Sequence, residues 1–170
     1  MKSKKNIVLI GMMGSGKSLI GNKLSKHLKL EFIDIDTKIE KSENKTISEI
    51  FKINGEDYFR KIEEEITLSY LKLNNKVISL GGGGYINQNI RRQCLKNCVS
   101  IWLNWRDETL INRIERSKKR PLAIKLSSNE IKRLIFERSK IYNSSNFKIN
   151  CDKLDKNQIV KRIIKIYENI

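Results

Sequence analysis

The sequence is poor in the residues that build metal centres and disulfide frameworks. Its 170 residues include three cysteines and one histidine, His27. Cys94 and Cys98 lie four residues apart, but no histidine or second cysteine pair stands near them, so the spacing matches neither a zinc site nor a redox motif. We therefore expect Cys94, Cys98 and Cys151 to be small hydrophobic residues in a reducing compartment.

Long apolar runs are missing as well. No stretch approaches the roughly 18 consecutive apolar residues that a membrane-spanning helix needs. The first residues, Met1 to Asn6, are basic, and the apolar run Ile7–Ile10 is too short for the core of a secretory signal. We therefore expect a cytoplasmic protein with no membrane partner. With one proline, nine glycines and no linker or repeat, residues 1–170 are predicted to form a single domain.

Acidic residues are outnumbered by basic ones. Lys and Arg total 35 against 19 Asp and Glu, which gives a formal net charge of +16. Such a charge suggests nucleic-acid binding. However, Lys, Ile and Asn are abundant together, and an AT-rich genome produces that bias because their codons are built from A and T. The lysines are also spread along the chain without interleaved aromatics. We therefore expect a solvated surface that steers anionic substrates, and no nucleic-acid partner.

Short β-branched runs alternate with helical segments along the chain. The predicted strands are Ile7–Ile10, Glu31–Ile35, Val77–Leu80, Val99–Leu103 and Phe147–Ile149. Helices are predicted at about 17–29, 46–55, 56–73, 127–141 and 157–168, the second of them opened by a capping box. This alternation predicts an α/β fold, a five-stranded parallel sheet flanked by helices. Ligands of such sheets bind at the carboxyl ends of the strands.

The segment Gly11-Met-Met-Gly-Ser-Gly-Lys-Ser18 matches the P-loop pattern between a predicted strand and a predicted helix. Its glycines allow successive backbone N–H groups to turn toward phosphates, and the helix N-terminus adds partial positive charge. Lys17 is expected to reach the β- and γ-phosphates, and Ser18 to bind Mg²⁺. The residues expected to contact ATP here are Gly14, Ser15, Gly16, Lys17 and Ser18.

Two aspartates follow the second predicted strand. Side chains alternate between the two faces of a strand, so Asp34 and Asp36 are expected to point the same way, at the end of the strand beside the P-loop. Two adjacent carboxylates repel each other, so they favour a cation or a hydroxyl between them. Asp34 suits Mg²⁺ binding through water, and Asp36 suits an acceptor hydroxyl. The alternative is that Asp36 caps a short helix beginning near Thr37.

Three further segments have both a functional and an ordinary interpretation. Arg60 and Glu63 are one helical turn apart, which is also the spacing of an exposed ion pair. Gly81–Gly84 leave room for a ligand near the backbone, or form a flexible loop. The basic segment Arg113–Leu122 is interpreted either as a lid beside a phosphate site or as a solvated loop.

Taken together, the motifs resemble the shikimate kinase family over about residues 7–143. The matching segments are Gly11–Ser18, Asp34 and Asp36, Gly55–Glu63, Gly81–Gly83, Arg120–Leu122, and Arg138 with Tyr142. The combination of Asp-x-Asp, Phe-Arg-x-x-Glu and three glycines is specific to that family, whereas the P-loop is not. Two positions depart from its pattern: Lys156 stands where a proline near adenine is common, and Ala123 replaces a leucine.

The resemblance implies a nucleoside-monophosphate-kinase-like fold with a helical substrate-binding region at about 34–62 and a mobile lid at about 114–127. It implies a monomer that transfers the γ-phosphoryl of ATP to the 3-hydroxyl of shikimate with Mg²⁺. The residues implied to hold shikimate are Asp36, Arg60, Gly81, Gly82, Gly83 and Arg138. Arg120 is implied to touch the phosphates and Arg113 the adenine, and the implied catalytic residues are Lys17, Asp36 and Arg120.

Two rival functions stay open at this point. A kinase of gluconate or of a nucleoside monophosphate would share the P-loop, but we do not expect it to carry the Asp-x-Asp, Phe-Arg and triple-glycine set. A nucleic-acid-binding module would use the +16 charge and would bind with a strong salt dependence. That rival leaves Asp34 and the glycine run unexplained.

Overall fold

A computed structural model describes residues 5–116 and 126–170. Its five strands form one parallel sheet in the order β2-β3-β1-β4-β5. The strands are β1 Asn6–Ile10, β2 Glu31–Asp34, β3 Lys76–Ser79, β4 Cys98–Asn104 and β5 Phe147–Asn150. The helices are α1 Lys17–Leu28, α2 Ile35–Glu43, α3 Ile47–Leu71, α4 Gln88–Asn97, α5 Asp107–Glu115, α6 Ser128–Tyr142 and α7 Lys156–Glu168. The predicted five-stranded parallel sheet is confirmed.

Alternate side chains of the central strand β1 divide the core into two layers. Val8 and Ile10 pack into a cluster with residues of α2, α3, α4 and α6. Ile7 and Leu9 face the other side and pack with α1 and α7. All four side chains are essentially inaccessible to solvent, as expected for the central strand of a doubly covered sheet. Because the sheet is parallel, the carboxyl ends of the strands lie along one edge of it.

The three cysteines behave as the sequence predicts. Cys94, Cys98 and Cys151 are buried and unpaired. Burial raises the pKa of Cys98 to about 11 and that of Cys151 to about 12. Their thiols are therefore protonated at neutral pH and act as packing groups.

The second strand is shorter than predicted. It ends at Asp34, and the next residue begins α2. The cause is local: the Asp34 side chain accepts a hydrogen bond from the backbone N–H of Thr37, which caps the helix. Asp36 therefore lies in the first turn of α2, and the expectation that both aspartates share one strand face was wrong. The alternative correctly predicted a short helix at this point, but the residue that caps the helix is Asp34 and not Asp36.

Residues 117–125, which include Arg120, lie outside the part of the chain that the structure describes. The flanking elements are α5, which ends at Glu115, and α6, which a capping box of Ser127 and Glu130 begins. Within residues 5–116 and 126–170, no helix is long and apolar enough to cross a membrane.

Helix α3 contains a break at Gly55. The residue has φ 84° and ψ 174°, although the flanking segments are assigned to one helix. The sequence predicts that a helix ends near Gly55, and the structure confirms an interruption of the helix at that residue, in the form of a kink. The break separates the half capped by Thr46 from the half that carries Arg60 and Glu63.

We expect Gly55→Ala to lower the free energy of unfolding by about 1–3 kcal/mol, because this backbone conformation is essentially restricted to glycine. A Cβ at this position would meet no atom within 4 Å, so the loss would come from the backbone alone. The melting temperature should fall by about 2–4 °C per kcal/mol. Lys52→Ala, on an exposed helical position, is the control. Equal melting temperatures for Gly55→Ala and the wild type would contradict the strain argument.

Candidate active site

The P-loop connects β1 to α1. Gly14 and Gly16 have φ values of 83° and 85°, a region that favours glycine, so the sequence pattern follows from the shape of the turn. Gly16 precedes α1 and has no side chain with which to cap the helix. The first backbone N–H groups of α1 therefore receive no hydrogen bond from the N-cap side chain. Lys17 is 8% exposed, and its ammonium donates to the carbonyls of Gly11 at 2.8 Å and Met12 at 3.0 Å. The loop therefore presents positive charge to an anion.

Ser18 and Asp34, the residues predicted to bind Mg²⁺, lie together. The Ser18 hydroxyl donates to Asp34 Oδ2, while Oδ1 of the same carboxylate accepts from the N–H of Thr37. A hydroxyl and a carboxylate are the hard oxygen donors that Mg²⁺ prefers. The described residues contain no cluster of three or more metal-binding side chains.

Asp36 lies at the start of α2, close to the glycine run. Although the residue as a whole reaches solvent, its carboxylate is crowded: a Cβ added to Gly81 would lie 2.6 Å from Asp36 Oδ1. Loss of hydration and the negative charge of Asp34 raise the pKa of Asp36 to about 6, and the charge of Lys17 acts in the opposite direction. A carboxylate with this pKa can accept a proton near neutral pH.

Arg60 is held by two carboxylates on its own helix. It donates to Glu63 at 2.7 Å and to Glu56 at 3.1 and 3.2 Å. The side chain of Glu63 is only 3% exposed, whereas that of Glu56 is 57% exposed. Burial raises the pKa of Glu63 and the positive charge of Arg60 opposes that rise. The ion pair exists, but the interpretation of it as an exposed surface pair was wrong.

The glycine run after β3 makes room for charged side chains. A Cβ at Gly81 would lie 2.7 Å from Glu63 Oε1, and a Cβ at Gly83 would lie 2.5 Å from a terminal nitrogen of Arg60. Larger residues at positions 81 and 83 would displace those groups. The space at these two positions is thus occupied by the carboxylate of Glu63 and by the guanidinium of Arg60, of which Arg60 is predicted to bind the ligand.

Arg138 and Tyr142 of α6 reach the same run. The Arg138 guanidinium donates to the Gly82 carbonyl at 3.2 Å, and the Tyr142 hydroxyl donates to the same oxygen. Arg60 and Arg138 therefore approach Gly81–Gly83 from two helices, with Asp36 arriving from a third. The sequence-predicted acceptor residues converge on one region at the carboxyl edge of the sheet.

A cavity of about 820 Å³ adjoins the P-loop on the other side. The residues that line it include Gly14, Ser15, Gly16, Trp105, Arg113 and Lys156. Arg113 donates to the Gly14 carbonyl at 3.1 Å, so the structure places it beside the P-loop. Lys156, the position that departs from the family pattern, also lies at this cavity.

Sequence reasoning missed two features of the site. One is the burial of Glu63, which could have been inferred because it lies in a helix among the apolar residues Phe59, Ile62 and Ile66. The other is Trp105, which follows β4 directly, where side chains near a ligand are expected. Arg120 lies outside the described residues.

We expect Asp36→Asn to stabilise the protein at neutral pH. Between about pH 4 and 6 the folded protein retains a proton on Asp36 that the unfolded chain, with an ordinary pKa of 3.8, has lost. Stability is therefore lost as the pH rises through this window. Asparagine removes the penalty, on the order of 1 kcal/mol after solvent screening, or about 2–4 °C in melting temperature.

The measurement is a melting curve at several pH values, with the exposed Asp57→Asn as the control. The gain in Asp36→Asn over the wild type should shrink as the pH falls toward 4. A gain that does not change with pH, or a loss of stability at pH 7.5, would show that the carboxylate is not destabilised by its surroundings.

A family model described as "Shikimate kinase" matches residues 13–168 of the chain. A shikimate kinase of Bartonella quintana is 40% identical over 167 residues, covering 98% of this chain and 80% of the relative. A shikimate kinase of Bacillus subtilis is 40% identical over 170 residues, covering 95% and 88%. The structure of Acinetobacter baumannii shikimate kinase in complex with shikimate superposes with a TM-score of 0.91 at 26% identity, covering 97% of this chain and 93% of that one.

The fold alone is more widely shared. A gluconokinase of Sinorhizobium meliloti superposes with a TM-score of 0.62 at 16% identity. The sheet and P-loop therefore do not separate the rival kinases, whereas the family model and the relatives at 40% identity do. The chain belongs to the shikimate kinase family.

Proposed function

We propose that this protein transfers the γ-phosphoryl of ATP to the 3-hydroxyl of shikimate, giving shikimate 3-phosphate and ADP, a step toward chorismate and the aromatic amino acids. The observation that carries the proposal is the convergence of Asp36, Arg60 and Arg138 on the glycine run beside the P-loop. An ATP-dependent kinase of this family needs such an acceptor site next to its phosphate site.

The two arginines suit a carboxylate. A guanidinium offers planar paired donors that match the two oxygens of a carboxylate. Arg60 is held by Glu56 and Glu63, and Arg138 by the Gly82 carbonyl, so both are oriented before a ligand binds. Shikimate has one carboxylate and several hydroxyls, which leaves Asp36 to accept hydrogen bonds from the ring.

The catalytic steps rest on charge and position. Phosphoryl transfer needs little covalent chemistry from the protein, which mainly aligns the reactants and neutralises charge. Lys17 would shift from the loop carbonyls to the β- and γ-phosphates, and Asp36, with a pKa of about 6, would accept the proton of the attacking hydroxyl. Ser18 and Asp34, the latter through water, would hold Mg²⁺, which neutralises phosphate charge when bound.

Several finer expectations belong to the same proposal. Arg120 would contact the phosphates from a lid at about 114–127, and the region at about 34–62 would bind shikimate. Arg113 would lie against the adenine. We also expect a monomer that acts in the cytoplasm and binds neither nucleic acid nor membranes.

The direct experiment is an acceptor panel. The purified protein is mixed with MgATP and shikimate, gluconate or a nucleoside monophosphate, ADP formation is followed, and the product is identified by mass spectrometry and NMR. Turnover should require shikimate and phosphorylate its 3-hydroxyl, and Lys17→Met should be inactive. Turnover with gluconate or a nucleotide and none with shikimate would overturn the proposal.

The role of Arg60 gives a quantitative prediction. Removing one partner from a buried charge pair costs about 2–5 kcal/mol. Arg60→Ala should therefore reduce kcat/KM for shikimate by roughly thirtyfold to several thousandfold, because the carboxylate of shikimate loses the guanidinium that binds it. The KM for ATP should change little, since the nucleotide site is built from other elements.

Two variants sharpen the test of Arg60. Arg60→Lys should recover only part of the activity, because it keeps the charge but loses the planar pair of donors. Arg92→Ala, which removes an exposed arginine from α4, should behave like the wild type. Wild-type kinetics for shikimate in Arg60→Ala would contradict the assignment of the acceptor carboxylate to this residue.

A further inference from the structure

Trp105 joins the end of β4 to the P-loop. Its indole N–H donates to the Ser15 carbonyl at 2.9 Å, across 90 residues of sequence. On the same ring lies the guanidinium of Arg113, 3.9 Å from the ring centroid. Arg113 in turn donates to the Gly14 carbonyl at 3.1 Å. Two consecutive carbonyls of the P-loop are thus bound by two stacked side chains.

These hydrogen bonds constrain the direction of the loop's N–H groups. A trans peptide is planar, so its C=O and N–H point in opposite directions. Holding the Ser15 carbonyl toward Trp105 therefore turns the Gly16 N–H away from the indole. Gly16, with φ 85°, immediately precedes the helix whose N-terminus presents N–H groups to phosphate. Trp105 thereby orients one of the donors of the P-loop.

The stack also orders Arg113. The residue is exposed, and it forms no ion pair with a carboxylate in residues 5–116 and 126–170. An exposed arginine without such a pair would sample many rotamers. Here one face of its guanidinium is covered by the indole, and its side chain lines the 820 Å³ cavity beside the P-loop. A planar cation that lines such a cavity is suited to stack on a nucleobase.

We propose that Trp105 is a positioning residue of the nucleotide site, which holds Arg113 as a platform for the base and fixes the Ser15–Gly16 peptide toward the phosphates. The inference rests on the proposed function, because it assigns the cavity to the base of ATP. It adds a residue whose two contacts, the hydrogen bond and the stack, contribute separately to nucleotide affinity.

Calorimetric titration with a non-hydrolysable MgATP analogue tests these contributions. Trp105→Leu removes both contacts and should weaken analogue binding by about tenfold or more. Trp105→Phe keeps a ring beneath Arg113 and should lose about threefold. The KM for shikimate should stay within about twofold of the wild type in both variants, since the acceptor residues lie on other elements.

A double-mutant cycle separates positioning from general loss of structure. If Trp105 acts through Arg113, Arg113→Ala should cost less in the Trp105→Leu background than in the wild type. Phe136→Leu is the matched control, because Phe136 is an exposed aromatic that also carries a cation, Lys140, at 4.2 Å. It should leave analogue binding unchanged.

The outcomes distinguish this inference from the proposed function. Wild-type affinity in Trp105→Leu, or fully additive losses with Arg113→Ala, would overturn the positioning role while shikimate-dependent turnover persists. Equal losses in the Phe and Leu variants would overturn the stacking contribution. Failure of the wild type to bind the analogue would instead refute the proposed function. If Trp105→Leu does not fold, Trp105→Phe alone still tests the hydrogen bond to the Ser15 carbonyl, and wild-type analogue affinity in that variant would overturn its contribution.

Discussion

The buried carboxylate of Glu63 is the constraint around which the acceptor side of the molecule is built. It is 2% exposed and lies on the apolar side of α3, where a lone negative charge would be strongly disfavoured. Its compensation is the 2.7 Å contact with Arg60, which leaves the guanidinium with little freedom. The space for the pair exists because positions 81 and 83 lack a Cβ. The Phe-Arg-x-x-Glu motif and the triple glycine are therefore one structural unit.

Contacts of Asp34 link this acceptor side of the molecule to the P-loop. Asp34 contacts Ser18 through one oxygen and caps α2 through the other, so the helix that carries Asp36 is fixed relative to the P-loop. Loss of hydration, and after it the repulsion from Asp34 that follows from this closeness, raise the pKa of Asp36. The raised pKa of Asp36 carries a cost in stability at neutral pH, and the two carboxylates have different surroundings despite their spacing of two residues.

Most of the fold could be predicted from the sequence because the three central strands of the sheet coincide with short apolar runs that are followed by a glycine or polar residue. The P-loop and the break at Gly55 were predictable for the same local reason, since both require backbone conformations that favour glycine. The position of Asp36 was not, because a strand continuing to Ile35 and a helix beginning there have the same local sequence. The side-chain cap at Asp34 decides between them.

The burial of Glu63 and the contacts of Trp105 depend on segments distant in sequence. The burial of Glu63 depends on the packing of the glycine run against α3, and the contacts of Trp105 depend on the position of β4 beside β1. Such tertiary contacts leave weak local signals: a carboxylate among apolar helical residues, and an aromatic residue at the end of a strand. The pairing of Arg60 with Glu63 could be identified from their spacing but its burial could not, whereas neither Trp105 nor its contact with the P-loop could be identified.

The most direct test of the account compares two carboxylates that contact the same arginine. Glu63→Gln removes the buried charge and Glu56→Gln the exposed one, with nearly unchanged side-chain shape in both. Steady-state kinetics should show a shikimate KM raised by about tenfold or more in Glu63→Gln, because small misplacement of a binding group costs up to about a hundredfold. Glu56→Gln should change it by less than about threefold, and the KM for ATP should stay near the wild-type value in both variants. Equal effects of the two substitutions, or an unchanged shikimate KM in Glu63→Gln, would contradict the claim that the buried pair organises the acceptor site.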